Sequence, residues 1–187
     1  MNVFSNALSQ AQAIMQEACK LGDVAIDMTM GNGKDTVFLA GLVKHVFAFD
    51  IQQEAHNNTK ELLETLHIDN VTCIKDGHEN LDLYDFSEVG VIIFNLGYLP
   101  RSDKSIYTKQ ETTIQAIQKG LKVLREKGIM LIVLYPGFKS GYVESLYVEN
   151  YVSTLSQKCF DVVKYSAVNQ ENFPPYLLAI QKKSDKQ

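Results

Sequence analysis

The sequence predicts an α/β fold: an open, mostly parallel, seven-stranded sheet with helices on both faces and one antiparallel strand at the C-terminal end. Three observations predict it. Short apolar runs alternate with helical patterns along most of the 187 residues, which is typical of strands joined by crossover helices. A two-glycine turn follows the first apolar run, and only a short polar segment separates the last two runs.

The spacing of apolar residues predicts the elements in order. Apolar side chains recur at three- and four-residue steps over residues 3–20 and predict an N-terminal amphipathic helix. The predicted strands are 24–28, 45–49, 71–75, 89–94, 129–134, 159–167 and 176–182, and the predicted later helices are 34–43, 52–66, 108–126 and 141–156. Residues 183–187 form a polar tail that we expect to be frayed.

The last two predicted strands have only the polar segment 168–174 between them. A connection this short suits an antiparallel pair, whereas a parallel crossover needs a dozen or more residues. Six parallel strands with one reversed strand is the architecture of the Rossmann-like class I methyltransferases. Because no linker or repeat interrupts the chain, we expect a single domain over residues 1–187.

The first apolar run carries the most informative signal. It ends at the acid Asp27 and passes into Thr29-Met30-Gly31-Asn32-Gly33 before a helix begins. Such glycines let the backbone turn tightly and approach a ligand at the carboxyl edge of a sheet. Asp50 ends the next apolar run nineteen residues after Gly31, close to the roughly 20 expected for an acid that binds a ribose diol. The pattern favours a nucleoside-type cofactor.

The glycine turn also discriminates between cofactors. A dinucleotide site has a third glycine where this chain has Thr36, and a P-loop needs other residues at Met28 and Asp35. A cofactor without phosphate, whose ammonium and sulfonium are cationic, tolerates Asp27, Asp35 and Asp50 nearby. S-adenosylmethionine fits this description. An NAD-dependent oxidoreductase and a purely structural turn remain as alternatives.

A second polar segment follows the predicted central strand. Asn95-Leu96-Gly97-Tyr98-Leu99-Pro100 should face the same crevice, because ligands bind beyond the carboxyl ends of parallel strands. Its residue types suit methyl transfer to an amine, whose lone pair costs about 4 kcal/mol to free at neutral pH when the amine pKa is about 10. The Asn95 amide oxygen can accept the amine hydrogens and aim the lone pair. Tyr98 would lie beside the target, Pro100 would stiffen the loop, and turn geometry alone is the alternative.

Two further segments should reach this edge of the sheet. Asp76-Gly77-His78 follows the third strand, where an acid can meet the adenine amino group. His78 can act as a base or bind the substrate, although a lone histidine more often has a structural role. Tyr135 and Gly137 follow the fifth strand, and substrate contact and a simple turn are equally compatible with them.

Overall charge gives no general attraction to nucleic acid. The formal net charge is −4 and the pI is about 5.6, so RNA must be held by a local patch. Arg101 and Lys104, just after the Asn95 loop, are the candidates for phosphate contact. The three cysteines lack metal-ligand spacing, so no metal is expected. No apolar stretch approaches the roughly 20 residues of a membrane span, and we expect a cytoplasmic protein with no membrane partner.

Three segments resemble a bacterial family first labelled rRNA methylases and now associated with the wobble uridine of tRNA. They are Asp27–Gly33, Asp76–Leu81 and, the most specific, Phe94–Pro100 with the Asp103–Ile106 segment and Thr108 after it. The resemblance implies methylation of tRNA at the anticodon stem-loop, with S-adenosylmethionine as donor. The reaction would convert 5-aminomethyl-(2-thio)uridine at position 34 to 5-methylaminomethyl-(2-thio)uridine.

The residue types and the resemblance together give a candidate site. The cofactor candidates are Asp27, Thr29, Gly31, Asn32, Gly33, Asp50, Ile51, Gln52, Asp76, Gly77, His78 and Asn95. The catalytic candidates are Asn95, Tyr98 and His78, and the substrate candidates are Gly97, Tyr98, Pro100, Arg101, Lys104, Tyr135 and Gly137. The chain departs from the family pattern at Arg101-Ser102, in place of glycines, and at Phe138, in place of a histidine.

Other functions stay open at this stage. An N-methyltransferase of rRNA or of a small molecule uses the same cofactor, and the acidic net charge favours a small molecule. Thr36 and the reversed strand count against an oxidoreductase. A non-catalytic RNA-binding module could keep the fold. The sequence leaves open whether the protein forms a homodimer, which tRNAs it modifies and whether 2-thiolation is required.

Overall fold

All seven strands belong to one sheet. The computed structural model describes residues 6–97, 99 and 107–184. The elements are α1 (Ala7–Ala18), β1 (Val24–Asp27), α2 (Lys34–Ala40), β2 (His45–Phe49), α3 (Gln53–Thr65), β3 (Val71–Ile74), a 3₁₀ helix (His78–Leu83), β4 (Val89–Asn95), α4 (Gln110–Val123), β5 (Leu124–Leu134), α5 (Lys139–Ser153), β6 (Phe160–Tyr165) and β7 (Tyr176–Lys182). The strand order is β3-β2-β1-β4-β5-β7-β6.

Strand direction confirms the predicted reversed strand. β7 runs antiparallel to both of its neighbours, β5 and β6, and every other pairing in the sheet is parallel. The chain builds outward from β1 to β3 and then returns to place β4 on the other side of β1. Ligands bind at such a switch point, beyond the carboxyl ends of the strands. The ends of β1 and β4 therefore meet where a site is expected.

The sheet is buried on both faces, which explains why its strands are almost wholly apolar. Along β4, Val91 and Ile93 pack into a core that includes Met15 of α1 and Leu39 of α2. Ile92, which lies between them, faces the other way and joins a core built with α4 and α5. This alternation leaves only the end of β4, at Asn95, partly open to solvent.

Most predicted boundaries lie within a few residues of the observed ones, and β5 is the main exception. We predicted a helix to residue 126 and a strand from 129, but α4 ends at Val123 and β5 begins at Leu124. Leu124 pairs with Val89 before a shift in register, so the polar residues 125–127 belong to a strand. Their charges look like a solvated helix face in the sequence. The 3₁₀ helix was not predicted.

Lys183, the first residue of the tail that we expect to be frayed, contacts the preceding strand region: its N–H donates to the carbonyl of Cys159 and its Nζ pairs with Asp161 at 2.8 Å. Residues 185–187 lie outside the described part of the chain.

None of the helices in the described ranges is long and apolar enough to cross a membrane. Within those ranges, no group of three or more His, Cys, Asp or Glu side chains is placed to hold a metal ion.

Candidate active site

The glycine turn is fixed by an acid from β2 and a hydroxyl from α3. Gly31 and Gly33 have φ values of +51° and +76°, the left-handed region that favours glycine. The Gly31 N–H donates to Asp50 Oδ2 at 3.0 Å, and the Gln52 N–H donates to the other oxygen of Asp50 at 2.9 Å. Thr59 Oγ1 donates to the Gly31 carbonyl at 3.1 Å. The turn is therefore held in a single conformation.

Asp50 and Ile51, which we call the rim, lie beside this turn and are predicted to bind the ribose and base of a nucleoside. A carboxylate has about four lone-pair sites, and the two backbone donors use two of those on Asp50. The remaining sites can accept the two hydroxyls of a diol. Ile51, directly after the acid, leaves 57% of its surface exposed and offers an apolar face to a base. At the outer side of the turn, Asn32 Oδ1 accepts a hydrogen bond from Asn58 Nδ2 at 2.9 Å.

Asp27 supports the turn from beneath. Its side chain is 1% exposed and accepts hydrogen bonds from the Thr29 N–H at 3.1 Å and from Thr36 Oγ1 at 2.7 Å. Burial, with the nearby charge of Asp35, raises the pKa of Asp27 to about 7. Both oxygens are already used within the protein, so the structure gives Asp27 a supporting position below the rim.

Asn95 joins the end of β4 to the glycine turn. Its backbone N–H donates to Thr29 Oγ1 at 2.7 Å, which confirms that the two predicted segments meet at one edge of the sheet. The side-chain Nδ2 donates to Asp35 Oδ2 at 2.6 Å. The side-chain Oδ1 accepts from the Tyr135 hydroxyl at 3.4 Å. The half-buried Asn95 amide therefore has a defined neighbour at each end.

The buried carboxylate of Glu144 anchors Thr108, which is hydrogen-bonded to Gly97 after β4. Gly97 and Thr108 form a reciprocal pair, since the Gly97 N–H donates to Thr108 Oγ1 and the Thr108 N–H donates to the Gly97 carbonyl, both at 2.9 Å. The hydroxyls of Thr108 and Thr113 each donate to Glu144 at 2.7 Å. Burial raises the pKa of Glu144.

Four predicted site residues between Gly97 and Thr108 lie outside the described residues: Tyr98, Pro100, Arg101 and Lys104.

The predicted acid after β3 is engaged within its own turn. Asp76 Oδ1 accepts from the Gly77 N–H and from Asn80 Nδ2, both at 2.7 Å, and Oδ2 accepts from the Tyr84 hydroxyl at 3.0 Å. The hydrogen bond from Asn80 is the main reason that its pKa is lowered. A Cβ at Gly77 would collide with the Glu79 carboxylate. Contact between this turn and adenine stays a prediction.

His78 lies below the rim and is largely buried. Its side chain is 8% exposed, and its Nδ1 donates to the Met28 carbonyl at 3.1 Å. Burial lowers its pKa. Nε2 is buried and has no hydrogen-bond partner among the described residues. In the neutral form, which burial favours, Nε2 is an acceptor, and a catalytic role for His78 stays a prediction.

The structure brings most of the described candidates to one edge of the sheet. Gly137 lies on the neighbouring loop, where a Cβ would be 3.7 Å from the Phe173 carbonyl. Sequence reasoning missed Asp35, Thr59 and Glu144 as site-forming residues. Asp35 lies two residues after Gly33, and that proximity was a usable signal. Thr59 and Glu144 sit within helices, and no local pattern marks them.

This fold and site define a class I methyltransferase, and comparison with solved structures agrees. An rRNA methylase described as putative, from Clostridium thermocellum, matches with a TM-score of 0.94 and 43% identity over 97% of this chain and 100% of that one. A methyltransferase described as putative, from Streptococcus mutans and solved in complex with SAH, matches with a TM-score of 0.91 and 39% identity over 96% of this chain and 99% of that one.

The chain belongs to the family described as "Putative rRNA methylase", which matches residues 46–181. The tRNA (mnm5s2U34)-methyltransferase of Arabidopsis thaliana chloroplasts is 31% identical over 188 aligned residues. That alignment covers 90% of this chain and 66% of the plant protein, so this chain spans about two thirds of the length of that relative.

Proposed function

We propose that this protein is a tRNA methyltransferase that uses S-adenosylmethionine to N-methylate the 5-aminomethyl group of (2-thio)uridine at wobble position 34. The observation that carries the proposal is the position of Asn95: its backbone N–H donates to Thr29 Oγ1 beside the glycine turn, and its side-chain amide, held there by Asp35 and Tyr135, suits an amine acceptor. The name of the Arabidopsis relative supports the tRNA substrate, and the SAH complex of the Streptococcus protein supports the donor.

Different described residues suit the different parts of the cofactor. Asp50 accepts the ribose hydroxyls, Ile51 packs against the base, and the turn at Gly31 lets the backbone approach the amino-acid part. S-adenosylmethionine supplies a methyl group on a positively charged sulfur, which leaves as a neutral thioether.

Asn95 holds and orients the acceptor amine. An amide oxygen has two lone pairs, and Tyr135 uses one of them. The second can accept an amine hydrogen and leave the nitrogen lone pair directed at the methyl group. Because no bond within the protein has to be broken, positioning is the main task, and well-oriented reactants gain effective molarities on the order of 10⁵ M or more.

The tRNA contact belongs to the segment after Gly97. Tyr98 and Pro100 would flank the target uridine, and Arg101 and Lys104 would contact phosphates of the anticodon stem-loop. A cytoplasmic location goes with this proposal, since tRNA serves translation there.

Mass spectrometry of tRNA nucleosides from a deletion strain tests the proposal. We expect 5-aminomethyl-(2-thio)uridine to accumulate and the methylated nucleoside to disappear. A plasmid with the wild-type gene should restore it, and one with Asn95→Ala should not. An unchanged tRNA nucleoside profile would contradict the proposal.

The family description favours rRNA as the second candidate substrate. The same deletion strain distinguishes the two, because a missing methyl group in rRNA nucleosides with intact tRNA would assign the enzyme to rRNA.

A further inference from the structure

The Asn95 amide can work as an acceptor in only one of its two orientations. Its oxygen and its NH₂ group have nearly the same shape, so a flip of the side chain exchanges acceptor for donor. With the oxygen toward the substrate, the amide accepts an amine hydrogen and leaves the lone pair free. With the NH₂ toward the substrate, two N–H donors face the nitrogen and compete for that lone pair.

Asp35 distinguishes the two orientations. A carboxylate only accepts hydrogen bonds, and Asp35 Oδ2 lies 2.6 Å from Asn95 Nδ2. A flipped amide would set its oxygen against the carboxylate and lose this charge-assisted bond, one of the stronger kinds in proteins. The other oxygen of Asp35 accepts from Gln12 Nε2 of α1 at 3.5 Å, so the carboxylate is itself held between α1 and the end of β4.

Tyr135 reinforces the same orientation from the other end. Its hydroxyl lies 3.4 Å from Asn95 Oδ1 and could in principle donate or accept. Burial, together with the nearby charge of Asp35, raises the pKa of Tyr135 to about 12. The hydroxyl keeps its proton, and because Asp35 holds the NH₂ end of Asn95, the atom that faces the hydroxyl is Oδ1, to which it donates. With Tyr135 on one lone pair, the second lone pair of that oxygen is the one left for the substrate.

We infer that Asp35 is a positioning residue for methyl transfer, which fixes the Asn95 side chain with its oxygen toward the acceptor amine. The inference rests on the proposed function. It assigns to α2 a part in the reaction beyond forming the glycine turn.

Single-turnover methyl transfer to tRNA from the deletion strain tests the inference, with calorimetric titration of SAH as the measure of the cofactor site. Asp35→Asn can hydrogen-bond either end of Asn95, so it should slow transfer at least about thirtyfold and leave the Kd for SAH within about twofold. Asp69→Asn is the matched control. Asp69 is exposed before β3 at the opposite edge of the sheet, and its variant should keep the wild-type rate.

An exchange of the two side chains separates orientation from general damage. Asn95→Asp alone sets two carboxylates against each other and should be slow. When it is combined with Asp35→Asn, the new amide can donate to the new carboxylate, and an oxygen again faces the amine. The double variant should recover at least about tenfold over either single variant. Its rate should rise toward higher pH than that of the wild type, because an anion beside the amine favours the protonated form.

The outcomes are distinguishable. A wild-type protein that transfers no methyl group to this tRNA overturns the proposed function. An active wild type with an equally active Asp35→Asn variant overturns only the role of Asp35. If that variant fails to bind SAH, the exchange decides: a double variant no faster than Asn95→Asp shows that Asp35 does not act through the orientation of Asn95.

Discussion

At the scale of single residues, Asp27 makes a prediction about stability and pH. Its folded-state pKa of about 7 lies above its usual value of 3.8, so the folded protein binds this proton more tightly than the unfolded chain does. The contribution of Asp27 to the free energy of unfolding therefore falls as pH rises from about 4 to about 7, and it is level above that.

Asp27→Asn should remove this dependence. The asparagine oxygen can accept from the Thr29 N–H and its NH₂ can donate to the Thr36 hydroxyl, so both native contacts survive. Urea unfolding at several pH values measures the free energy of unfolding of both proteins. Between pH 4 and pH 8, the value for the variant minus that for the wild type should increase by on the order of 3 kcal/mol. Parallel curves for the two proteins would show that Asp27 is ionised throughout.

The candidate residues also show what sequence can and cannot reveal about a site. Asp27, Asp50 and Asn95 each end an apolar run, and parallel strands bring such ends to one edge, so their meeting could be predicted. Asp35 and Glu144 act from helices, where direction depends on how each helix packs. Asp76 was expected to face a ligand, but Asn80 and Tyr84, which lie just after it, take up its oxygens.

At the scale of elements, the turn between β1 and α2 depends on Gly33. Its φ of +76° is costly for any other residue, and a Cβ there would lie 2.8 Å from Thr59 Oγ1. Gly33→Ala should lower the free energy of unfolding by about 1–3 kcal/mol and weaken SAH binding at least about tenfold, as measured by urea unfolding and calorimetry.

Gly41→Ala is the matched control at the other end of α2. Gly41 has a φ of −77°, and a Cβ there would meet only the Phe38 carbonyl at 3.6 Å, an ordinary contact. This variant should bind SAH as the wild type does. If both variants bind equally well, the shape of the turn does not govern the cofactor site.

Elements with a clear apolar period were the predictable part of the fold. β2 and β7 have the predicted bounds, because most of their residues are apolar and buried. α2 ends at Ala40, three residues earlier than predicted, and Gly41 caps it. β5 was truncated in the prediction because residues 125–127 are charged, and a sequence pattern does not show that Leu124 pairs with Val89.

At the scale of the whole molecule, the net charge of −4 means that the proposed tRNA substrate must be held by a few local contacts. Replacing Arg101 and Lys104 together by alanine should raise the KM for tRNA about tenfold near 0.1 M salt and reduce the slope of log KM against log salt by about 2. The Kd for SAH should not change.

Lys122→Ala with Lys158→Ala is the control with the same change in net charge. Both lysines are exposed and lie before β5 and β6, at the opposite edge of the sheet. An equal rise in KM for the two double variants would show that tRNA responds to total charge, and would remove the reason to place the anticodon at the Asn95 edge.

The most direct test of the central claim uses purified protein, S-adenosylmethionine and tRNA from the deletion strain. The wild type should convert 5-aminomethyl-(2-thio)uridine at position 34 to its methylaminomethyl form, as read by nucleoside mass spectrometry. Asn95→Ala should bind SAH with wild-type affinity and transfer at least about a hundredfold more slowly. No conversion by the wild type, or full conversion by Asn95→Ala at the wild-type rate, would contradict the account.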